Sequence, residues 1–204
     1  MINVNQIVPE NSPNLGQACM CGQFVYLRNY RAASTYYYNN FIKGTRWQEI
    51  EANTIDWDTK IVFSHIIDPI ARRHKGITKW LQRNDLVDEY FNNVDLQNHL
   101  SNLAYIDNHS ASIYHMLGDN TNKVNWILAD YNDKNVARGN TSKFLASFLI
   151  LGLPNFQDGY INASNNRIKE LQLHIEHMFL KTDTTDVYKY FREDIKLFES
   201  LKNA

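Results

Sequence analysis

The sequence predicts an α/β fold, a mostly parallel sheet flanked by helices. Two observations carry that expectation. Short apolar runs at Phe24 to Leu27, Lys60 to Ile67 and Lys123 to Ala129 read as buried strands. Between them lie segments of roughly 10–15 residues with helical spacing, the pattern of strands joined through helices. A chain of 204 residues suits one domain spanning 1–204, with residues 1–22 as an irregular polar lead-in.

The first run, Phe24-Val25-Tyr26-Leu27, has the composition of a buried strand. A turn follows at Arg28-Asn29-Tyr30-Arg31, then Ala32, Ala33, Ser34 and Thr35, with a helix expected from about Ser34 to Ile42 and a stop near Gly44. Backbone N–H groups at such a helix start are unpaired and attract anions. Arg28 and Arg31 flank that point, and the hydroxyls of Ser34 and Thr35 can donate to the same ligand. Arg46 to Ala52 reads as a short second strand. Lys60 to Ile67 is the clearest strand, apolar and β-branched.

Asp68-Pro69 ends that strand and starts a helix running to about Gln82. It carries Arg72, Arg73, His74, Lys75 and Lys79, with Arg83 next, the only dense basic cluster in the chain. Residues 84–106 are helical by spacing, with Asp95 as the expected cap of a second piece. His109 falls in a loop before the third strand, Lys123 to Ala129. Asn140-Thr141-Ser142 caps an apolar helix from Lys143 to Leu151. Further on, His174 and His177 share a helix face with Glu170, too few ligands for a metal site. Val187, Phe191, Ile195 and Phe198 mark a closing helix that packs on the sheet.

A net charge of −1 gives no global attraction for nucleic acid or an anionic membrane, so any basic site is local. No apolar run approaches the ~20 residues of a membrane span, and the first residues lack the regions of a signal peptide. Cys19 and Cys21, one residue apart, are poorly placed for a disulfide. The expectation is a cytoplasmic protein.

Several stretches resemble the sulfotransferases that use 3′-phosphoadenosine 5′-phosphosulfate (PAPS). The family's 5′-phosphosulfate loop has roughly the form strand, P-K-x-G-[ST]-[ST], helix; here Arg31 stands for the lysine, Ala33 for the glycine, and Ser34-Thr35 match. The 3′-phosphate motif, roughly F-[VI]-R-D-P-x-x-R-x-x-S, is matched by Phe63, Asp68, Pro69 and Arg72, with Ile67 in place of the arginine and Lys75 in place of the serine. Asp107, His109, Gly118-Asp119-Asn120 and the strand from Lys123 resemble a segment of the carbohydrate-type members. Asn162, Ser164 and Arg167 match an N-x-S element of the nucleotide pocket, and the last helix resembles the family's Y-x-x-D-x-x-L-[FY] helix.

The resemblance implies a three-layer P-loop NTPase-like sandwich. It implies transfer of a sulfuryl group from PAPS, without a metal, to a hydroxyl or amine of a carbohydrate or other small polyhydroxy acceptor. Arg28, Arg31, Ala32, Ala33, Ser34, Thr35, Arg72, Lys75, Asn162, Ser164 and Arg167 would hold PAPS. Arg31 would also stabilise charge in the transition state, and His109 or His65 would be the base; His109 is preferred because it lies outside the strand. The two departures leave two readings open: Lys75 and His65 rebuild the 3′-phosphate site, or a degenerate site now serves a ligand or partner without catalysis. Phosphoryl transfer from ATP or GTP is disfavoured, because a Walker lysine and a Mg²⁺-binding aspartate pair are missing.

Overall fold

The computed structural model describes residues 3–32, 34–128 and 166–203. Among them, β1 (Gln17–Cys21), β2 (Phe24–Leu27), β3 (Gln48–Glu51), β4 (Ile61–Ile66) and β5 (Val124–Leu128) form one sheet in the order β3-β1-β2-β4-β5. β2 pairs parallel with β4, and β4 with β5, whereas β1 is antiparallel to both β2 and β3. The sheet is therefore mixed, not mostly parallel. The difference comes from the lead-in: Gln17–Cys21 is a strand, folded onto β2 by a tight turn in which Gly22 takes φ +61° and Cys21 pairs with Phe24.

Side chains alternate across the pleat. Cys19, Tyr26 and Phe63 pack with Tyr37 and Ile42 on one face. Ala18, Val25, Leu27 and Val62 pack on the other, with Met116 and Leu117 against them. Strand β3 closes one edge, with Gln48, Glu49 and Glu51 exposed.

After β2, Ser34–Tyr37 (α1) widens into a π-type turn over Tyr38–Ile42. After β4, Asp68 accepts a hydrogen bond from the Ala71 N–H at 2.8 Å and Pro69 occupies the first turn of α2 (Pro69–Arg83), as the sequence predicts. The helical stretch that follows divides into α3 (Val87–Asn92) and α4 (Val94–Asn102), capped by Asn93 rather than Asp95. α5 (Ile113–Leu117) leads toward β5, and α6 (Asn166–Phe179), α7 (Thr185–Tyr190) and α8 (Arg192–Lys202) complete the described chain. Ile77, Leu81, Tyr90, Leu96, Leu100, Leu171 and Ile175 make a second core among α2, α3, α4 and α6. Phe198 of α8 packs with Ile66 and Trp126, so the closing helix does lie on the sheet. No described helix is long and apolar enough to cross a membrane.

Candidate functional site

The chain leaves β2 toward β3 at one edge of the sheet and leaves β4 toward β5 at the other. The carboxyl ends of β2 and β4 thus flank a topological switch point, where open α/β sheets place their ligand crevices. Three segments meet there: residues 28–32, the start of α2, and the loop 103–112.

Arg72 joins all three. Its Nε donates to Asn29 Oδ1 and to the Tyr30 carbonyl, each at 3.0 Å, its Nη2 to the Asn108 carbonyl at 3.1 Å, and its Nη1 to the Ala111 carbonyl. The side chain is 1% exposed. Burial lowers its pKa to about 10, against the opposing charges of Asp194 and Asp107. Arg72 was expected at a phosphate; its donors are instead spent on main-chain and amide oxygens, which a buried planar fork satisfies well.

His65 is 0% exposed, with Nδ1 3.1 Å from the Tyr26 hydroxyl and aromatic neighbours Tyr26 and Tyr37. Burial lowers its pKa to about 4. A base needs access to the acceptor's proton, so this geometry removes His65 from that role. Its carbonyl receives the Asn29 amide at 2.8 Å, which fastens the 28–32 segment to β4. Ile67 packs against Ala32, filling with hydrocarbon the position where the family has an arginine.

His109, in the loop 103–112, is 7% exposed, against 0% for His65. Its Nδ1 is 3.1 Å from Asp107 Oδ2, its backbone N–H donates to Asp107 Oδ1 at 3.0 Å, and its ring stacks on Tyr30 with centroids 4.7 Å apart. An Nδ1–H bonded to carboxylate leaves Nε2 as the basic atom. Asp107 thus orients the His109 ring, a contact the sequence offered only as a letter two places before the histidine.

The loop can sit this close because α2 has no side chain beneath it. A Cβ on Gly76 would lie 2.5 Å from the His109 carbonyl oxygen and 2.6 Å from the Ser110 nitrogen. Exchanging glycine for alanine inside a helix ordinarily gains up to about 1 kcal/mol. Here the sign reverses, because both clashing atoms are backbone: Gly76→Ala should lose about 2 kcal/mol net, read as a melting temperature lower by about 4–8 °C.

The cations divide. Arg31 has φ +66°, a left-handed conformation that is strained for a residue with a Cβ. Lys75 lies on α2 beside Gly76, and its pKa is lowered to about 8 by burial and by the charge of Arg31, against Glu176 and Asp68. Arg31 and Lys75 are thus neighbours in one positive field. Arg28 turns away, with Nη1 2.7 Å from Gln17 Oε1 and its guanidinium over the Tyr38 ring. Ser34 is buried and Thr35 exposed.

Arg167, on α6, pairs with Asp88 and Glu170 and covers Phe91, so it belongs with α3, beyond the far end of α2 from the crevice. Ala33, Asn162, Ser164 and the helix expected over 143–151 lie outside the described residues. No group of three metal-ligating side chains occurs among the described residues.

Compared with protein-family models, curated proteins and solved structures, the chain matches none. The crevice therefore speaks through its own chemistry.

Proposed function

We propose that this protein is a sulfotransferase-like enzyme that moves a sulfuryl group from PAPS to a hydroxyl or amine of a carbohydrate or small polyhydroxy acceptor. The observations that carry this reading are the Asp107–His109 pair, stacked on Tyr30 next to Arg31 in the chain, and the positive field that Arg31 shares with Lys75 on the helix after β4. The parallel β2-β4-β5 core, with helices after β2 and β4, is compatible with a P-loop-like sandwich extended by the antiparallel β1 and β3.

In this reading His109 Nε2 takes the proton of the acceptor. The acceptor oxygen or nitrogen bonds to sulfur while the bond between sulfur and the bridging phosphate oxygen breaks, leaving 3′-phosphoadenosine 5′-phosphate. Arg31 and Lys75 would offset the negative charge that grows on the bridging oxygen and the sulfuryl oxygens. Lys75 acts as a point charge, without the fork that an arginine at position 67 would offer. Thr35, exposed in the helix after β2, would add a hydroxyl donor. Asp107 keeps the proton on Nδ1 in the resting enzyme.

The first experiment is a thermal-shift titration with 3′-phosphoadenosine 5′-phosphate, with ATP and AMP as controls. At about 100 times Kd the ligand adds about 2.7 kcal/mol, several degrees for a chain of this length. The expected result is a shift with the 3′-phosphorylated nucleotide alone, lost in Lys75→Ala and Arg31→Ala. Sulfation of a carbohydrate panel should then fall about a hundredfold in His109→Asn. A shift with none of the nucleotides, or sulfation indifferent to His109, overturns the reading.

A further inference from the structure

The geometry points to Asp194, on the closing helix α8, as the positioning residue that fixes the His109 loop from its far side. This inference rests on the proposed role of His109 for its consequence in catalysis, but its structural half stands without it. Asp194 is 1% exposed and accepts three hydrogen bonds: from the Ile113 N–H at 2.8 Å, the Tyr114 N–H at 3.0 Å and the Ser112 hydroxyl at 3.1 Å. One turn earlier, the Tyr190 hydroxyl accepts from the Ser112 N–H at 3.3 Å. These donors are the first turn of α5, which opens immediately after the loop 103–112.

The position demands a carboxylate. Each of its three partners donates, and only an acceptor-only group satisfies all of them. An asparagine would turn its NH₂ toward a donor. Burying an acid is costly, and burial does raise the pKa of Asp194, against the backbone donors and the charge of Arg72. A position that served only to fill space would hold a hydrocarbon at lower cost. What the carboxylate adds is a fixed point one residue beyond Ala111, whose carbonyl is held by Arg72 on α2. The loop is thus pinned by α2 at Asn108 and Ala111, seated on Gly76, and pinned by α8 at Ser112 to Tyr114. Freeing the last anchor lets the Asp107–His109 pair shift against Tyr30. A displacement of about 1 Å in a reacting group can cost about a hundredfold in rate.

The test compares the full chain with Asp194→Asn and with Ser112→Ala, which removes one hydroxyl and leaves the carboxylate in place. Amide hydrogen exchange and the chemical shift of the His109 imidazole report the loop directly; kcat and KM report its use. In Asp194→Asn, exchange at residues 108–114 should rise about tenfold while amides of β2 and β4 keep their protection. The chemical shift of the His109 imidazole should change, and kcat should fall at least about tenfold with KM for PAPS within about twofold. Ser112→Ala should show the same pattern at smaller size, and it carries the readouts alone if Asp194→Asn does not fold. Exchange that rises evenly across the sheet, or an unmoved imidazole in both variants, overturns the inference. If the parent chain transfers no sulfuryl group, the proposed function fails while exchange and resonance still decide the role of Asp194.

Discussion

Replacing Arg72 with leucine should cost about 4 kcal/mol of folding stability and lower the melting temperature by roughly 8–16 °C, with no nucleotide present. The guanidinium satisfies Asn29 and the carbonyls of Tyr30, Asn108 and Ala111, and leucine offers these oxygens nothing. Part of the loss is returned, because the buried cation is itself poorly solvated, as its lowered pKa of about 10 indicates. Lysine should recover little: a single ammonium cannot reach oxygens spread around a planar fork. Differential scanning calorimetry separates this from the role the sulfotransferase resemblance assigns. A residue that held only a phosphate would leave the melting temperature of the unliganded protein unchanged when replaced. A stable Arg72→Leu protein with lost nucleotide affinity would therefore refute the clamp.

Acid should unfold the protein well before its surface carboxylates are fully protonated. Burial lowers the pKa of His65 from 6.5 to about 4, and burial together with the charge of Arg73 lowers that of His74 to about 3. Both folded-state values lie below the unfolded one, so the unfolded chain binds more protons between pH 6.5 and 4. Stability is complete above pH 6.5 and drains as the pH falls through that window. At about 1.4 kcal/mol per pH unit, His65 alone accounts for about 3 kcal/mol by pH 4, and His74 for as much again. His65 faces Tyr26 and Tyr37; His74 faces Phe179 and feels the charge of Arg73. Asp194 works in the opposite sense, since a raised carboxyl pKa favours the folded state as protons are added. Set against a typical 5–15 kcal/mol for a whole domain, the histidines dominate. Urea midpoints measured from pH 7 to 4 check this. His65→Phe, an aromatic of similar size, should flatten the profile by about half, and an unchanged profile would show that His65 carries none of it.

The parts of this fold that were legible in the sequence are those with strong local signals. The apolar run of β4, the Asp68-Pro69 start of α2 and the helical spacing of the last segment all depend on neighbours close in the chain. Strand β1 was missed because Gln17–Cys21 has little β-branched or aromatic content; its place is fixed by pairing on both sides. The turn at Gly22 was the available signal, and reading it as a hairpin would have predicted the mixed sheet. The site followed the same rule. His109 was singled out from a short motif, but the use of Arg72 as a clamp depends on oxygens 36–43 residues away in sequence, which no local pattern contains. The burial of His65 was likewise a property of the assembled sheet.

Strand β3 tells what happens when this sheet meets another. Among the described residues its outer edge pairs with no further strand, and such an edge can template a neighbouring chain, the first step toward aggregation. Glu49 and Glu51 stand exposed along that edge. Antiparallel addition of a second copy through β3 would bring these carboxylates together across the new seam, where like charges repel. Near neutral pH the sheet thus carries its own barrier to growth at this edge, written in the side chains of a strand four residues long.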